Sequence, residues 1–173
     1  MDFELFNTYS NKTELFIPLD DNDIRIYACG PTVYDYIHVG NARPLIIFDV
    51  LVRFLKLIYP KVTYVRNITD VDDKIIVQAN QNKENINNLT ERTIKAFSDD
   101  ADALFVKKPD FEPRATEHIQ EMLKMTKVLL ENGNAYLSDG NVLFSVSSMP
   151  NYGKLSGMNL SEMIDGARVE VSD

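Results

Sequence analysis

The sequence predicts an α/β fold with a parallel pair of strands, and three segments carry that prediction. Residues 23–28 first alternate between polar and apolar side chains and then become continuously apolar. Residues 62–65 are β-branched and aromatic, so both runs predict strands. Between them, residues 42–58 place apolar side chains around one narrow polar stripe, which predicts a long helix buried on most sides. A strand, a helix and a second strand in this order indicate a βαβ unit, whose two strands run parallel.

Pro44 predicts where the long helix begins. Proline lacks an N–H group and is tolerated in the first turn of a helix, so we expect the helix to start within residues 40–43. Asp49 and Arg53 are four residues apart on the polar stripe, and this spacing predicts an ion pair across one helical turn.

Two further helices are expected before residue 110. The first begins near Asp72, because the acidic side chains of Asp70, Asp72 and Asp73 complement the positive end of a helix dipole. The second covers roughly residues 89–104. With the βαβ unit, these helices define a first predicted domain, residues 1–110.

After residue 110 the pattern changes, which predicts a second domain over residues 111–173. Residues 116–131 form a helix with one apolar face, stopped by Asn132 and Gly133. Residues 135–137 and 142–146, joined through the turn residues 139–141, predict a β-hairpin. Residues 168–171 read as one more strand, so we expect this second domain to be a small α+β segment.

The composition is that of a globular protein. The chain has 173 residues, of which 45% are hydrophobic and 25% charged, and its net charge is −8. No basic patch accompanies that charge, so a strong nucleic-acid surface of its own is not expected. We find no signal peptide and no run long enough to span a membrane, and one cysteine cannot form an internal disulfide. Together these features predict a cytoplasmic protein.

The loop between the first predicted strand and the long helix contains chemically versatile residues. Cys29 is the only cysteine and His38 is one of two histidines, and Gly40 and Asn41 follow directly. In α/β proteins such a turn holds nucleotide phosphates at a helix N-terminus. Taken alone, however, these four residues are explained more simply by an asparagine helix cap beside an incidental surface histidine.

Cys29 has three interpretations on its own. It is a small buried hydrophobic residue at a strand end, a nucleophile with His38 as its base, or a metal ligand. Spacing does not predict zinc, because there is no Cys-x-x-Cys pair and His118, the second histidine, lies far downstream.

The acidic run 69–74 has a simple explanation as a helix cap. A calcium loop is excluded, because Ile75 stands where a glycine is needed and Gln81 where a glutamate is needed. A phosphatase-like Asp-x-Asp pair stays a remote option, because Lys74 stands where that motif has a hydroxyl residue or valine.

Taken together, these segments resemble the N-terminal part of the cysteinyl-tRNA synthetases, which are class I aminoacyl-tRNA synthetases. His-Val-Gly-Asn at 38–41 is similar to the family's His-Ile-Gly-His motif. The other matching segments extend along the chain: residues 6–8, 27–35, 62–75, 112–116, 152–156 and 166–169. The resemblance implies the first half of a class I Rossmann-type nucleotide-binding fold, with an inserted connective segment beginning after about residue 110.

The resemblance also implies an adenylating site. His38 and Asn41 would be catalytic and would stabilise the charge that develops at the α-phosphate of ATP. Such an enzyme uses ATP with Mg²⁺ to convert L-cysteine to cysteinyl-adenylate, and then transfers the amino acid to tRNA(Cys). The residues implied to bind ATP and the adenylate are Gly30, Thr32, His38, Gly40 and Asn41.

For the amino acid, the resemblance implies Cys29, Thr69 and Asp70. Cys29 would be one ligand of a zinc ion that binds the substrate thiolate, because a metal that prefers sulfur separates cysteine from serine. Two positions depart from the family pattern: Asn41 stands where the motif has its second histidine, and Pro44 replaces a small hydroxyl residue.

In the family, the remaining zinc ligands lie well beyond this stretch, so we expect an N-terminal fragment that is inactive in aminoacylation by itself. The complete enzyme is expected to be a monomer without membrane attachment. Two alternatives stay open at this point. One is the related ATP-dependent cysteine ligase of mycothiol synthesis, and the other is a non-catalytic fragment that binds adenylate or pairs with another chain.

Overall fold

The computed structural model describes residues 2–158. Within it the chain divides into two compact units, one formed by Pro18–Ile119 and the other by the described parts of Met1–Ile17 and Gln120–Asp173. The first unit extends beyond residue 110, and the domain boundary predicted there stays a prediction. The strand predicted at 168–171 and the motif at 166–169 lie outside the described residues.

The regular elements follow one another along the chain and are numbered in that order. They are β1 (Glu4–Asn7), β2 (Lys12–Leu15), β3 (Ile24–Ala28), α1 (Val39–Ile58), β4 (Val62–Arg66), α2 (Asp73–Asn82), α3 (Ile86–Ala103), α4 (Ile119–Glu131), β5 (Ala135–Ser138) and β6 (Asn141–Phe144). A short 3₁₀ helix, Ala115–His118, precedes α4.

The larger unit is built on the predicted βαβ unit. Strands β3 and β4 pair in parallel, with Ile24 opposite Val62 and Ala28 opposite Arg66, and α1 connects them. A third, strand-like segment lies along the edge of β4 that does not pair with β3. This segment contains Phe111, which forms a parallel bridge with Val65. This arrangement confirms the parallel α/β prediction.

Helix α1 begins earlier than Pro44 predicted. Its first residue is Val39 and its N-cap is His38, so Pro44 lies in the second turn instead of the first. The carbonyl of Gly40 therefore lacks the N–H donor that position 44 would normally supply. The side chains that cap the helix at His38 and Asn41 decide its start, and the proline is accommodated inside it.

The prediction that α1 is buried on most sides is wrong. Its buried residues are Leu45, Val52 and Leu55, which face the core, whereas Val50 and Leu57 are 60% and 83% exposed. The described elements cover one side of the helix, so its second apolar face stays in contact with solvent. The predicted ion pair on its polar stripe is confirmed, with Arg53 Nε 2.6 Å from Asp49 Oδ2.

The core of the larger unit lies between the sheet and helices α1, α2 and α3. The predicted start of α2 near Asp72 is confirmed, since the side chain of Asp72 accepts a hydrogen bond from Lys74 N at 2.9 Å. The buried apolar cluster also anchors the loop that follows β3. Its members are Val33, Leu45, Ile68, Ile75, Ala79, Leu89, Phe97, Ala101 and Val106.

The smaller unit contains two antiparallel hairpins and α4. The hairpin β5–β6 is confirmed, and its turn residues Asp139 and Gly140 both have positive φ, as a two-residue hairpin turn requires. The hairpin β1–β2 is not among the sequence predictions. No helix among residues 2–158 is long and apolar enough to cross a membrane.

Candidate active site

The turn after β3 is held against the end of β4 by Gly30. The Gly30 N–H donates to Asn67 Oδ1 at 2.8 Å, and Asn67 Nδ2 donates to Thr69 Oγ1 at 3.1 Å. A Cβ atom on residue 30 would lie 1.6 Å from the carbonyl oxygen of Asn67, a distance that no side chain tolerates. Only glycine fits here, because the two strand ends approach so closely.

Beyond this contact, the two chain segments continue side by side. Thr32 and Thr69 form a parallel bridge, in which Thr69 N donates to Pro31 O at 3.0 Å and Val33 N donates to Thr69 O at 3.1 Å. Thr32 and Thr69, which the sequence assigned to adenylate and amino-acid binding, therefore lie next to each other at the carboxyl edge of the sheet. In α/β folds this edge is where ligands bind.

His38 and Asn41 form a capping box at the start of α1. His38 Nδ1 accepts a hydrogen bond from Gly40 N at 3.0 Å, and Asn41 Oδ1 accepts one from His38 N at 3.1 Å. A nitrogen that accepts cannot carry a proton, so the neutral imidazole has its N–H at Nε2, which is left to donate to a ligand. Similarly, the side-chain oxygen of Asn41 accepts the capping hydrogen bond, so its Nδ2 N–H groups are left to donate to a ligand.

Gly40 lets the imidazole of His38 fold back over the helix start. A Cβ atom on residue 40 would lie 2.7 Å from Cε1 and 2.9 Å from Nδ1 of that ring. The glycine is thus needed for the position of a side chain, whereas Gly30 is needed for the approach of two backbones. A side chain at position 40 would displace the His38 ring and would disturb the backbone less.

The backbone N–H groups at the start of α1 are largely used within the protein. Gly40 N donates to the His38 ring, and Asn41 N and Ala42 N donate to His38 O at 2.8 and 3.2 Å. The sequence suggested that free N–H groups of this helix would attract phosphate. The structure instead leaves the side-chain donors of His38 and Asn41 as the main groups available for an anion at this end.

Cys29 lines a small cavity under this turn. Its thiol is exposed, which does not fit the interpretation of a buried hydrophobic residue. The cavity holds about 70 Å³, and its walls combine the turn, the first turns of α1, strand β4 and α3. Its lining residues are Ala28, Cys29, Gly30, Pro31, Asn41, Pro44, Leu45, Phe48, Tyr64, Arg66 and Phe97. Burial is the largest of several influences on Tyr64 in this wall and raises its pKa.

Asp70 is used within the fold. It is buried, and its two carboxylate oxygens accept from Thr116 N at 2.9 Å and from Thr116 Oγ1 at 2.6 Å. It therefore ties the end of β4 to the short 3₁₀ helix at Ala115–His118. The sequence prediction that Asp70 complements the dipole of α2 did not include this partner.

Two residues of the site were missed by the sequence analysis. Asn67 holds Gly30 and Thr69 together, and Arg66, whose side chain is buried, lines the cavity. The one sequence signal that could have found them is their position, since Arg66 ends β4 and Asn67 follows it, and the carboxyl ends of parallel strands lie side by side.

The described residues do not by themselves fit a zinc site. Zinc takes four ligands in structural sites and three protein ligands in catalytic ones. Among residues 2–158 there is no group of three or more histidine, cysteine, aspartate or glutamate side chains that could hold a metal ion. Cys29 offers one sulfur donor of the preferred kind.

The parallel strand ends and the capped helix start together define a nucleotide-binding domain of the Rossmann type. The family model for the catalytic domain of class I (C) tRNA synthetases matches residues 15–173. This chain belongs to that family.

Its curated relatives are named cysteine–tRNA ligases. The protein from Gluconobacter oxydans is 54% identical over 168 residues, 97% of this chain and 37% of the relative. The proteins from Ehrlichia ruminantium and Saccharophagus degradans are 52% and 51% identical and cover 96% and 100% of this chain. The chain spans 36% and 38% of those two relatives, a little over a third of their length.

A solved structure supports the fold. The methionyl-tRNA synthetase of Mycobacterium tuberculosis, determined in complex with methionyl-adenylate, aligns with a TM-score of 0.60 at 18% identity. The alignment covers 71% of this chain and 29% of that one. At this identity the match concerns the fold alone, and it agrees with the class I Rossmann-type prediction.

Proposed function

We propose that this chain provides one wall of the site at which a cysteine–tRNA ligase activates L-cysteine with ATP and then charges tRNA(Cys). The observation that carries the proposal is that Gly30, beside the Thr32–Thr69 bridge at the edge of the sheet, lines the same cavity as Asn41 of the capped start of α1. The names of the curated relatives agree with this chemistry, and no observation favours a ligase of mycothiol synthesis. A cytoplasmic monomer without membrane attachment is part of the proposal.

In this proposal His38 and Asn41 bind the phosphates of ATP. His38 would donate from Nε2 and Asn41 from Nδ2, because their other polar atoms are used in the capping box. Donors held in place before the reaction stabilise the negative charge that grows on the α-phosphate when the cysteine carboxylate attacks it. The positive end of the α1 dipole adds to this stabilisation.

The adjoining ends of β3 and β4 would form the surface on which the adenylate lies. Gly30 would contribute by letting the backbone of Asn67 approach the turn, and Gly40 by letting the His38 ring lie over the helix start, so that both shape the surface that the adenylate would contact. Thr32, whose neighbour across the bridge is Thr69, would contact the adenylate, while Thr69 would face the amino acid. The magnesium ion would accompany ATP as part of the substrate.

Cys29 and Asp70 complete the amino-acid side of the proposal. Cys29 is exposed and lines the cavity, and its thiolate would be one ligand of a zinc ion that selects the substrate thiol. Asp70 would act indirectly, because both of its oxygens are bonded to Thr116 and its effect would be to fix Thr69. Further zinc ligands would have to come from outside residues 2–158.

The test is a chimera in which this chain replaces the matching third of the Gluconobacter oxydans relative. We expect the chimera to catalyse cysteine-dependent exchange of pyrophosphate into ATP and to charge tRNA(Cys). We expect the isolated 173-residue chain to do neither, because the described residues supply one sulfur ligand, Cys29, and one wall of the proposed active site.

Two results would contradict the proposal. A folded chimera without exchange activity would show that this chain cannot form its part of the site. Cysteine-dependent exchange by the isolated chain would refute its predicted inactivity. The matched control is the same chimera carrying Lys95→Met, a change at an exposed ion pair with Asp99 within α3 that should leave the rate unaltered.

A further inference from the structure

Thr93 of α3 contacts the turn after β3, which carries part of the candidate site. Its hydroxyl donates to the backbone carbonyl oxygen of Val33 at 2.7 Å, and both residues are 2% exposed. Val33 follows Thr32 directly in the turn, and Thr93 lies 60 residues further along the chain. A buried side chain of a distant helix therefore holds the backbone of the turn.

The carbonyl of Val33 depends on this hydroxyl for its hydrogen bond. The hydroxyl also lies 2.7 Å from Leu89 O and 3.1 Å from Thr90 O, both in its own helix. A hydroxyl group has one proton to donate, and carbonyls inside a helix already accept backbone N–H groups. No backbone N–H among residues 2–158 donates to Val33 O. Because buried carbonyls are nearly always paired, Val33 O is the acceptor that needs this proton.

Val33 is held from two sides. Its N–H donates to Thr69 O at 3.1 Å, and its carbonyl accepts from Thr93. Thr32 is part of this arrangement, because it is bonded covalently to Val33 and forms the parallel bridge with Thr69. Loss of the contact with Thr93 would let residue 33 shift and would carry Thr32 with it.

A second side chain of α3 reaches the same turn. Arg92 donates a hydrogen bond to the side chain of Tyr36, and this bond, together with the charge of Glu84, raises the pKa of Arg92. The Arg92 side chain is 46% exposed, so water can replace a partner that is lost there. Thr93 is buried, and removal of its hydroxyl would leave a buried carbonyl without a donor. Thr93 is therefore the contact that solvent cannot replace.

We propose that Thr93 is a positioning residue for cysteine activation, because its hydroxyl fixes the backbone at Val33 and thereby the place of Thr32. This inference rests on the proposed function, since it concerns the geometry of the same site. Thr93 is buried and acts through the turn, without contacting the ligand itself. Misplacement of a positioning group by about 1 Å can lower a rate by about 100-fold, so a small shift of the turn has a measurable effect.

The test compares two buried threonines of α3 in the chimera described above. Thr93→Val removes the hydroxyl and keeps the shape of the side chain, whereas Thr93→Ser keeps the hydroxyl. Thr90→Val is the matched control, because the Thr90 hydroxyl donates to Asn87 O within the helix.

We expect Thr93→Val to lower the kcat of pyrophosphate exchange about tenfold and to change the KM for ATP by less than about threefold. The loss falls on kcat because the turn would be displaced from the geometry that the transition state requires. Thr93→Ser and Thr90→Val should stay close to the wild-type chimera in both constants.

Amide hydrogen exchange in the 173-residue chain gives a measurement that does not depend on activity. Relative to the amides of α1, the Val33 amide should exchange at least about tenfold faster in Thr93→Val than in the wild type. Thr93→Ser and Thr90→Val should leave its protection unchanged. Thermal unfolding checks that each variant folds. If Thr93→Val does not fold, Thr93→Ala takes its place, because alanine is a better helix former than valine.

Three results would overturn the inference. A folded Thr93→Val chimera with the wild-type kcat would show that the hydroxyl is not needed. A Thr93→Ser chimera as slow as Thr93→Val would assign the loss to packing, and an equally slow Thr90→Val chimera would assign it to a general weakening of α3. If the wild-type chimera itself has no exchange activity, the proposed function fails, and Val33 amide exchange then decides separately whether Thr93 holds the turn.

Discussion

Gly30 and Gly40 are separated by ten residues and have different physical roles. At Gly30 an added Cβ would meet the backbone of Asn67, which cannot move without separating β3 from β4. At Gly40 it would meet the imidazole of His38, a side chain that can rotate away. The same residue type thus serves the fold at one position and the candidate site at the other.

Substitution by alanine should separate these roles. We expect Gly30→Ala to lower the free energy of unfolding by about 3 kcal/mol or more, because the clash is with backbone. Gly40→Ala should cost less and act mainly by displacing His38 from its hydrogen bond. Urea unfolding of both variants checks this, and an equal loss of stability in the two would contradict it.

In the proposed site, His38 would combine a structural and a ligand-binding function on its two ring nitrogens. Nδ1 caps α1, and Nε2 is the donor that we propose for phosphate. His38→Ala removes both functions, whereas His38→Asn restores a good N-cap and removes the imidazole donor.

We expect His38→Ala to destabilise the protein by about 1 kcal/mol and His38→Asn to be close to wild type in stability. Both should weaken ATP-dependent exchange in the chimera described above. Thermal unfolding and exchange rates measured on the same samples test this. If His38→Asn kept full exchange activity, Nε2 would have no part in phosphate binding.

At the scale of elements, the segment after α3 locks the end of β4 in place. Its side chains at 112, 114 and 116 contact three different partners. Glu112 binds Arg66, Arg114 binds Glu91 of α3, and Thr116 binds Asp70. The same segment donates and accepts backbone hydrogen bonds, with Ile68 N bonded to Pro113 O at 2.9 Å. The loop that carries Asn67 and Thr69 is therefore fixed from outside the sheet.

The Glu91–Arg114 pair gives this link a pH dependence. The hydrogen bond from Arg114 and its charge lower the pKa of Glu91 below its ordinary value of 4.5. Since the folded protein binds this proton less readily than the unfolded chain, the contribution is fully present above pH 4.5. It is lost as the pH falls through the lowered pKa.

We therefore expect Glu91→Gln to lower the Tm at pH 7 and to match wild type at a pH well below 4.5. Thermal unfolding between pH 3 and pH 7 measures the difference. The control is Asp100→Asn, a carboxylate on the same helix without an ion pair among the described residues. A Tm difference for Glu91→Gln that does not change with pH would contradict the prediction.

At the scale of the whole molecule, α1 has two apolar faces and the described residues cover one. Leu55 is 1% exposed, whereas Ile47 is 52% exposed. Large exposed apolar surfaces are unusual on monomeric proteins and favour association.

We expect Ile47→Glu to change the free energy of unfolding by no more than about 0.5 kcal/mol, and Leu55→Ala to reduce it by about 2 to 5 kcal/mol. Ile47→Glu should also reduce the binding of a hydrophobic dye to the folded chain. Urea unfolding and dye fluorescence measure the two effects. A large loss of stability in Ile47→Glu would mean that this face is covered in solution.

Local pattern predicted the regular elements well where they are apolar, and less well where they are polar. β3, α1, β4 and the hairpin β5–β6 follow from periodicity and turn residues. The hairpin β1–β2 escaped prediction because its second strand, Lys12–Leu15, is exposed throughout and has no buried face to produce an alternating signal. For α1, an apolar sequence on all sides could not indicate which side the fold would cover.

By itself, the sequence determined the βαβ order, the glycine, histidine and asparagine positions at the start of α1, and the family, because each depends on residues close together in the chain. Only the tertiary structure decided that Arg66 pairs with Glu112 and that Asp70 binds Thr116. Both of those side chains find partners 46 residues away. Which residues meet over such a separation depends on the path of the whole chain. The hydrophobic periodicity of a single segment carries no information about that path.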